Sequence, residues 1–200
     1  MGRPQLYDGA LREQLLTRAG EQVFRHGIAS LNLRSLAADS RTTTAAIYSL
    51  FGSKARLVAA LYKRAVEGFS AHLAAVPTTD DPAEDIVQLG LAYRASAMAD
   101  PHGYRIMFGD EADPRGIDRA VALEGAETFT PLLDAVKRGV AAGQFPRGVP
   151  PEAMAVALWA NVHGLVTVEL GKFLPRQARD VTALIEPALR ANVRGWRADL

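Results

Sequence analysis

The chain has 200 residues, 48% of them hydrophobic, enough to bury a sizeable core in one large or two small domains. It contains no run of 18 apolar residues, no apolar leader core at its start and no cysteine, so a cytoplasmic protein without a membrane span, disulfide or thiol chemistry is expected. The net charge of +1 conceals an asymmetry: residues 1–64 carry 10 Lys+Arg against 4 Asp+Glu, hence +6, and residues 65–200 carry 13 against 18, hence −5. A basic N-terminal third on a mildly acidic remainder suits a chain of which one end meets a polyanion.

After a short arm, Gly2-Arg3-Pro4, whose Arg3 could reach a phosphate, Leu11, Leu15, Leu16, Ala19, Val23 and Phe24 follow a 3.6-residue period from about Ala10 to His26, and Gly27 supplies the stop. Ile28 and Leu31 fill the connection to Asn32, an N-cap for a two-turn helix carrying Leu33, Leu36 and Ala37. The pattern breaks at Asp39-Ser40-Arg41. Thr42 or Thr43 then caps a second short helix whose stripe is Ile47, Leu50 and Phe51, leaving Thr44, Ala45, Tyr48 and Ser49 outside. Two short helices joined by a tight turn cross steeply, so the second can enter a major groove roughly 12 Å wide. The expected core of this three-helix unit is Leu15, Ala19, Val23, Phe24, Leu33, Leu36, Ile47, Phe51 and Leu57.

These residues resemble the helix-turn-helix signature of the TetR (tetracycline-repressor) family of bacterial regulators, IAxxAGVSxxxLYxxFxxKxxL. Leu36-Ala37, Thr43 through Tyr48, Phe51, Lys54 and Leu57 carry the match, which covers about the first 60 residues. The resemblance implies a DNA-binding transcriptional regulator, usually a dimeric repressor that leaves a palindromic operator when a small apolar or amphipathic ligand binds the C-terminal body. It also implies DNA contacts from Arg34, Thr43, Thr44, Ala45, Tyr48 and Lys54, with Thr44 and Ala45 towards base edges and Tyr48 and Lys54 positional. The sequence departs from the family at the turn, where Ser40-Arg41-Thr42 stands for Ala-Gly-Val. That glycine usually serves a left-handed backbone, which Arg41 adopts only with a strain of about 1 kcal/mol. Arg41 therefore keeps a second reading open, a helical small-molecule-binding or scaffold protein that has lost DNA binding.

Ser53 caps a long helix to about Ala75, with Lys54 in its first turn, Leu57, Val58, Leu61, Val66, Phe69 and Leu73 along it. Asp81-Pro82 opens a helix over Ala83 to Ala99, and Asp100-Pro101 ends it. Residues 101–108 form a short helix followed by the polar loop GDEADPRG. A helical pattern from Ile117 to Ala142, stopped by Gly143, is expected to kink at Pro131. Pro150-Pro151 opens a helix to about Leu170, and a last helix runs from Gln177 to Trp196. With no alternating strand pattern or repeat, the fold class is all-α with about nine helices: a DNA-binding domain over 1–56 and a ligand-binding and dimerisation domain over 57–200. The interval around Trp159, His163 and Gly164 also resembles the TetR subset that carries a Trp-x-x-x-His-Gly motif.

No CxxC, HExxH, GxSxG, P-loop or dinucleotide fingerprint occurs, so neither catalysis, a cofactor nor a metal is expected. His163 reads as a helix-interior histidine bonded to a neighbour or as a polar contact in a pocket. Tyr93, Met98, Tyr104, Met107, Phe108, Phe129, Leu133, Trp159 and His163 are the candidate lining of an apolar effector pocket. A homodimer is expected through the last two long helices, by way of Ala155, Leu158, Val162 and Val166 on one and Val181, Leu184, Leu189 and Val193 on the other.

Overall fold

A computed structural model describes residues 5–109, 123, 125–175 and 180–197, and among these the secondary structure is helical without strands. Nine helices are defined: α1 (Gln5–His26), α2 (Leu33–Asp39), α3 (Thr44–Phe51), α4 (Lys54–Ala74), α5 (Pro82–Ala99), α6 (Pro101–Phe108), α7 (Thr130–Ala141), α8 (Pro151–Leu170) and α9 (Val181–Arg194). The arm Gly2-Arg3-Pro4, most of the loop and helix start expected over 109–122, and residues 177–179 of the expected last helix lie outside the described residues. The chain forms two compact units, residues 1–67 with 100–125 and residues 68–99 with 126–200, and α4 passes from one to the other without a break.

In the first unit α1, α2 and α3 enclose Leu15, Leu16, Ala19, Val23, Leu31, Leu36, Ile47, Phe51, Leu57 and Leu61. Phe24 and Leu33, expected in this core, are only half-buried. Phe24 instead serves as a platform: the His102 ring lies 4.4 Å from it, and the Arg105 guanidinium lies over it while donating to the Phe24 carbonyl at 3.0 Å. Through these contacts and the buried Ile106, α6 belongs to the same packed unit as the helix-turn-helix. Ser53 caps α4 as its hydroxyl position predicts, accepting from the Arg56 N–H at 3.1 Å.

In the second unit α5 packs on α7, α8 and α9. Asp81 caps α5 by accepting from Ala83 and Glu84. Leu189 of α9 lies so close over Gly90 that a Cβ there would stand 2.9 Å from its methyl carbon. The expected kink at Pro131 does not occur: residues 128–129 are a turn, and Pro131 sits in the first turn of α7, where its missing N–H has no helical partner to lose. Pro187, by contrast, lies inside α9.

The residues expected on the dimer face need a correction. Ala155, Leu158, Val162 and Val166 are at most 5% exposed and build the core of this unit, as do Leu189 and Val193. The free apolar side of α8 is the opposite one, with Ala153, Val156, Ala160 and Thr167 exposed, and on α9 Leu184 is exposed. Although α8 lacks an unbroken apolar run, a stretch of 18 of its 20 residues has a mean hydropathy of 1.4, enough, by length and composition, for a membrane span. Only 28% of that stretch is buried within the chain.

Candidate nucleic-acid interface and ligand site

The Asn32 side-chain oxygen accepts from the N–H groups of Arg34 and Ser35 at 2.9 and 3.2 Å, which fixes the start of α2. Its end is a Schellman turn: the Arg41 N–H donates to Ala38 at 3.1 Å and the Thr42 N–H to Ala37 at 2.9 Å, with Arg41 at φ 52°. The departure from glycine thus leaves the turn geometry in place, at a strain of about 1 kcal/mol. Ser40, where the family pattern has alanine, is buried with no partner for its hydroxyl among the described residues. Of the two threonines that could cap α3 it is Thr43 that does so, its hydroxyl accepting from the Ala46 N–H at 3.1 Å.

Ile47 and Phe51 face inward, so α3 turns its other side to solvent. Tyr48 is 53% exposed and does not pack away against the preceding helix. Thr43, Ala45 and Ser49 are exposed, Thr44 is half-buried, and Arg34 is exposed on α2. Lys54 is half-buried, and its ammonium donates to the Ala29 carbonyl at 3.3 Å, stitching the start of α4 to the loop between α1 and α2. Hydroxyls, a phenol and cations presented together in this way can reach phosphate oxygens and base edges.

In the second unit, Tyr93, Trp159 and His163 come together. The Tyr93 hydroxyl and His163 Nδ1 are 2.9 Å apart, the Trp159 and His163 rings 5.2 Å, and the Phe69 edge meets Tyr93 at 5.0 Å. Burial pushes the His163 pKa below its ordinary value, so the imidazole is neutral at neutral pH. Met98, Phe129 and Leu133 are half-buried in the same unit. Tyr104, Met107 and Phe108 belong to the first unit, where the Tyr104 and Phe108 rings lie tilted to one another at 5.1 Å and Met107 is buried.

Sequence periodicity gave no hint of the charged groups that brace this unit. Arg94, next to Tyr93, makes a two-pronged pair with Glu169 at 2.8 and 2.6 Å, and that pairing raises its pKa. Asp85 is 3% exposed and accepts from the Thr79 N–H at 3.0 Å, the Thr79 hydroxyl at 2.6 Å and Arg138 at 2.7 Å. Burial pushes its pKa up, but these hydrogen bonds outweigh it and the carboxyl ends below its ordinary value.

With this geometry in place, the family model for the tetracycline repressor-like C-terminal domain matches residues 86–192, from α5 into α9. The chain belongs to the TetR family. Among solved structures it is similar to a Rhodococcus sp. RHA1 protein of unknown function, 26% identical with a TM-score of 0.74 over 94% of this chain and 95% of that one. It also shares its fold with SmeT, the repressor of the Stenotrophomonas maltophilia multidrug efflux pump SmeDEF, at 23% identity and a TM-score of 0.69 over 94% and 91% of the two chains. PfmR, a TetR family transcriptional regulator from Thermus thermophilus, has the same fold at 17% identity and a TM-score of 0.74 over 90% and 97%. No curated protein sequence matches the chain.

Proposed function

We propose that this TetR-family protein is a homodimeric transcriptional repressor that binds a near-palindromic operator and leaves it when a small apolar or amphipathic ligand occupies the second unit. The observation that carries this reading is α3 itself: a Thr43-capped helix with Ile47 and Phe51 inward and Ala45, Tyr48 and Ser49 outward, on the +6 portion of the chain. Residues 1–56 supply the DNA-reading domain, with Arg34, Thr43, Thr44, Ala45, Tyr48 and Lys54 as contacts, and residues 57–200 supply ligand binding and dimerisation. SmeT, named as a repressor and solved as a complex with triclosan, supports the pairing of repression with a small aromatic ligand.

Dimerisation is assigned to the outer side of α8, whose exposed residues Ala153, Val156, Ala160 and Thr167 are uncharged and small or β-branched, together with Leu184 of α9. A Cβ on Gly164 would meet nothing within 4 Å, so no contact among the described residues requires that glycine. The open space there leaves room for a second helix to approach closely. A twofold axis then sets two recognition helices roughly 34 Å apart, one DNA turn or somewhat more.

The ligand site is centred on Tyr93, Trp159 and His163, with Met98, Phe129 and Leu133 as further lining. A ligand there displaces Tyr93, whose ring touches Phe69 on α4, and α4 is continuous with the DNA-reading domain. Tyr104, Met107 and Phe108 of α6, packed with the helix-turn-helix, act in the response and not as lining. A coupling of about 1–3 kcal/mol weakens operator binding by roughly 5- to 150-fold. The test is a gel shift with the DNA beside the protein's own coding region, for wild type, Lys54→Ala and Tyr48→Ala. A saturable shift that both variants weaken supports the reading. No shift with the wild type sinks it.

A further inference from the structure

We infer that Arg41 is a phosphate-binding residue of the DNA interface, a contact that the position, ordinarily a glycine of the turn, does not otherwise supply. The inference rests on the DNA-binding reading above. Three observations carry it.

The first is that the backbone at residue 41 does not suit its side chain. The Schellman turn that closes α2 needs a positive φ there, and φ is 52°. The same turn recurs at the end of α7, where the N–H groups of Gly143 and Gln144 donate to Val140 and Gly139, and there glycine occupies the left-handed position at φ 74°. Identical hydrogen bonds are thus available with glycine, which adopts the conformation freely, so the turn itself gives no reason for arginine.

The second observation is the state of the guanidinium. Arg41 is exposed and makes no ion pair or side-chain hydrogen bond among the described residues. Its neighbours on the chain offer no carboxylate that it uses: Asp39, two residues earlier, accepts from Gln22 and Ser35. The negative end of the α2 dipole attracts it, but a cation at any last-turn position would feel that equally.

The third is where the turn points. Arg41 lies two residues before Thr43, the cap of the recognition helix, so it borders the end of α3 that carries Thr43, Thr44 and Ala45. An arginine there meets the phosphates that flank a major groove entered by α3, and the guanidinium fork matches phosphate oxygens in pairs. The buried Ser40 hydroxyl beside it, without a partner among the described residues, makes the turn doubly unfavourable as structure, and of the two side chains it is the exposed Arg41 that can reach DNA.

The experiment compares wild type, Arg41→Gly, Arg41→Lys and Ser40→Ala, using a duplex of the DNA beside the protein's own coding region and a second duplex with altered base pairs. Thermal or urea unfolding is measured alongside affinity from 50 to 300 mM salt. Arg41→Gly is expected to be more stable than wild type yet to bind on the order of 10-fold more weakly at 150 mM salt, with the slope of log K against log salt reduced by about one per copy of the chain. Arg41→Lys keeps charge and strain, and so keeps the slope. Ser40→Ala gains stability with affinity unchanged, which separates stability from charge. Arg41→Gly binding as tightly as wild type with an unaltered slope overturns the inference, as does a loss confined to one DNA sequence, which would make Arg41 a base reader. A wild type that binds no DNA at all fails the proposed function instead.

Discussion

The two units differ in how many of their arginines are committed to partners within the chain. In the second, guanidinium groups are committed to carboxylates: Arg94 on Glu169, Arg138 on Asp85, and, nearer the surface, Arg190 on Glu84 and Glu186. In the first, Arg12, Arg18 and Arg64 pair with Glu13 and Glu21 at the surface, whereas Arg25, Arg34 and Arg41 make no ion pair among the described residues, and the core beneath them is apolar. Where arginine ties one helix to another, its charge is spent within the chain. Where the helices are already held by Leu36, Ile47, Phe51 and Leu57, the cations remain available to an outside polyanion. The difference teaches that the +6 of residues 1–64 is a surface property, while the −5 of the remainder includes charges that hold the fold together.

The largest way to break this contrast is to remove an inward pair. Asp85→Ala leaves Arg138 and the Thr79 N–H without their acceptor and is expected to lower stability by about 3 kcal/mol in urea unfolding. Arg94→Ala strands the half-buried Glu169 and should cost about 2 kcal/mol, the pair being partly solvated. Arg34→Ala in the first unit should change stability by no more than about 0.5 kcal/mol while weakening DNA binding. If Arg34→Ala unfolded the chain as readily as Asp85→Ala, the two uses of arginine would not be distinct.

Acid sharpens the comparison. The folded pKa of Asp85 lies below its unfolded value, so its stabilisation is complete above about pH 4 and is lost as the pH falls through the folded value. His163 acts over a higher range. Its folded pKa is depressed below about 6.5, so the folded state takes up a proton less readily than the unfolded chain and stability declines as the pH falls below about 6.5. Urea midpoints between pH 7.5 and 5 should therefore fall for wild type and flatten for His163→Gln, and equal slopes for the two would remove the neutral imidazole from the account. Arg41→Gly is expected to give a small gain in stability, about 0.5–1 kcal/mol, because strain relief is partly offset by the freer unfolded chain.

Much of the first unit was legible in the sequence because its signals are local. Asn32 and Ser53 cap the helices they precede, and Gly27 takes positive φ where the first helical pattern stops. Arg41 could be foreseen in a left-handed turn for the same reason. The second unit was less legible. Apolar residues surround α8 on all sides, so periodicity could not tell its core face, Ala155 and Val162, from the free face, Val156 and Ala160. Pro131 reads alike as a kink or as a first-turn residue until the turn at 128–129 is known. The Tyr93–His163 and Asp85–Arg138 contacts join residues 70 and 53 positions apart, and no local pattern encodes such pairings.

The central claim, an operator-binding dimer, is tested most directly by titrating the purified protein onto the duplex beside its own coding region at 50 and 200 mM salt, with mass read by light scattering. The account predicts a complex of two chains per site whose affinity falls roughly 10³-fold or more between the two salt concentrations, as expected when six or more phosphates are contacted. A complex-free mixture containing only the 21.5 kDa chain, or an affinity indifferent to salt and equal for an unrelated duplex, would contradict it.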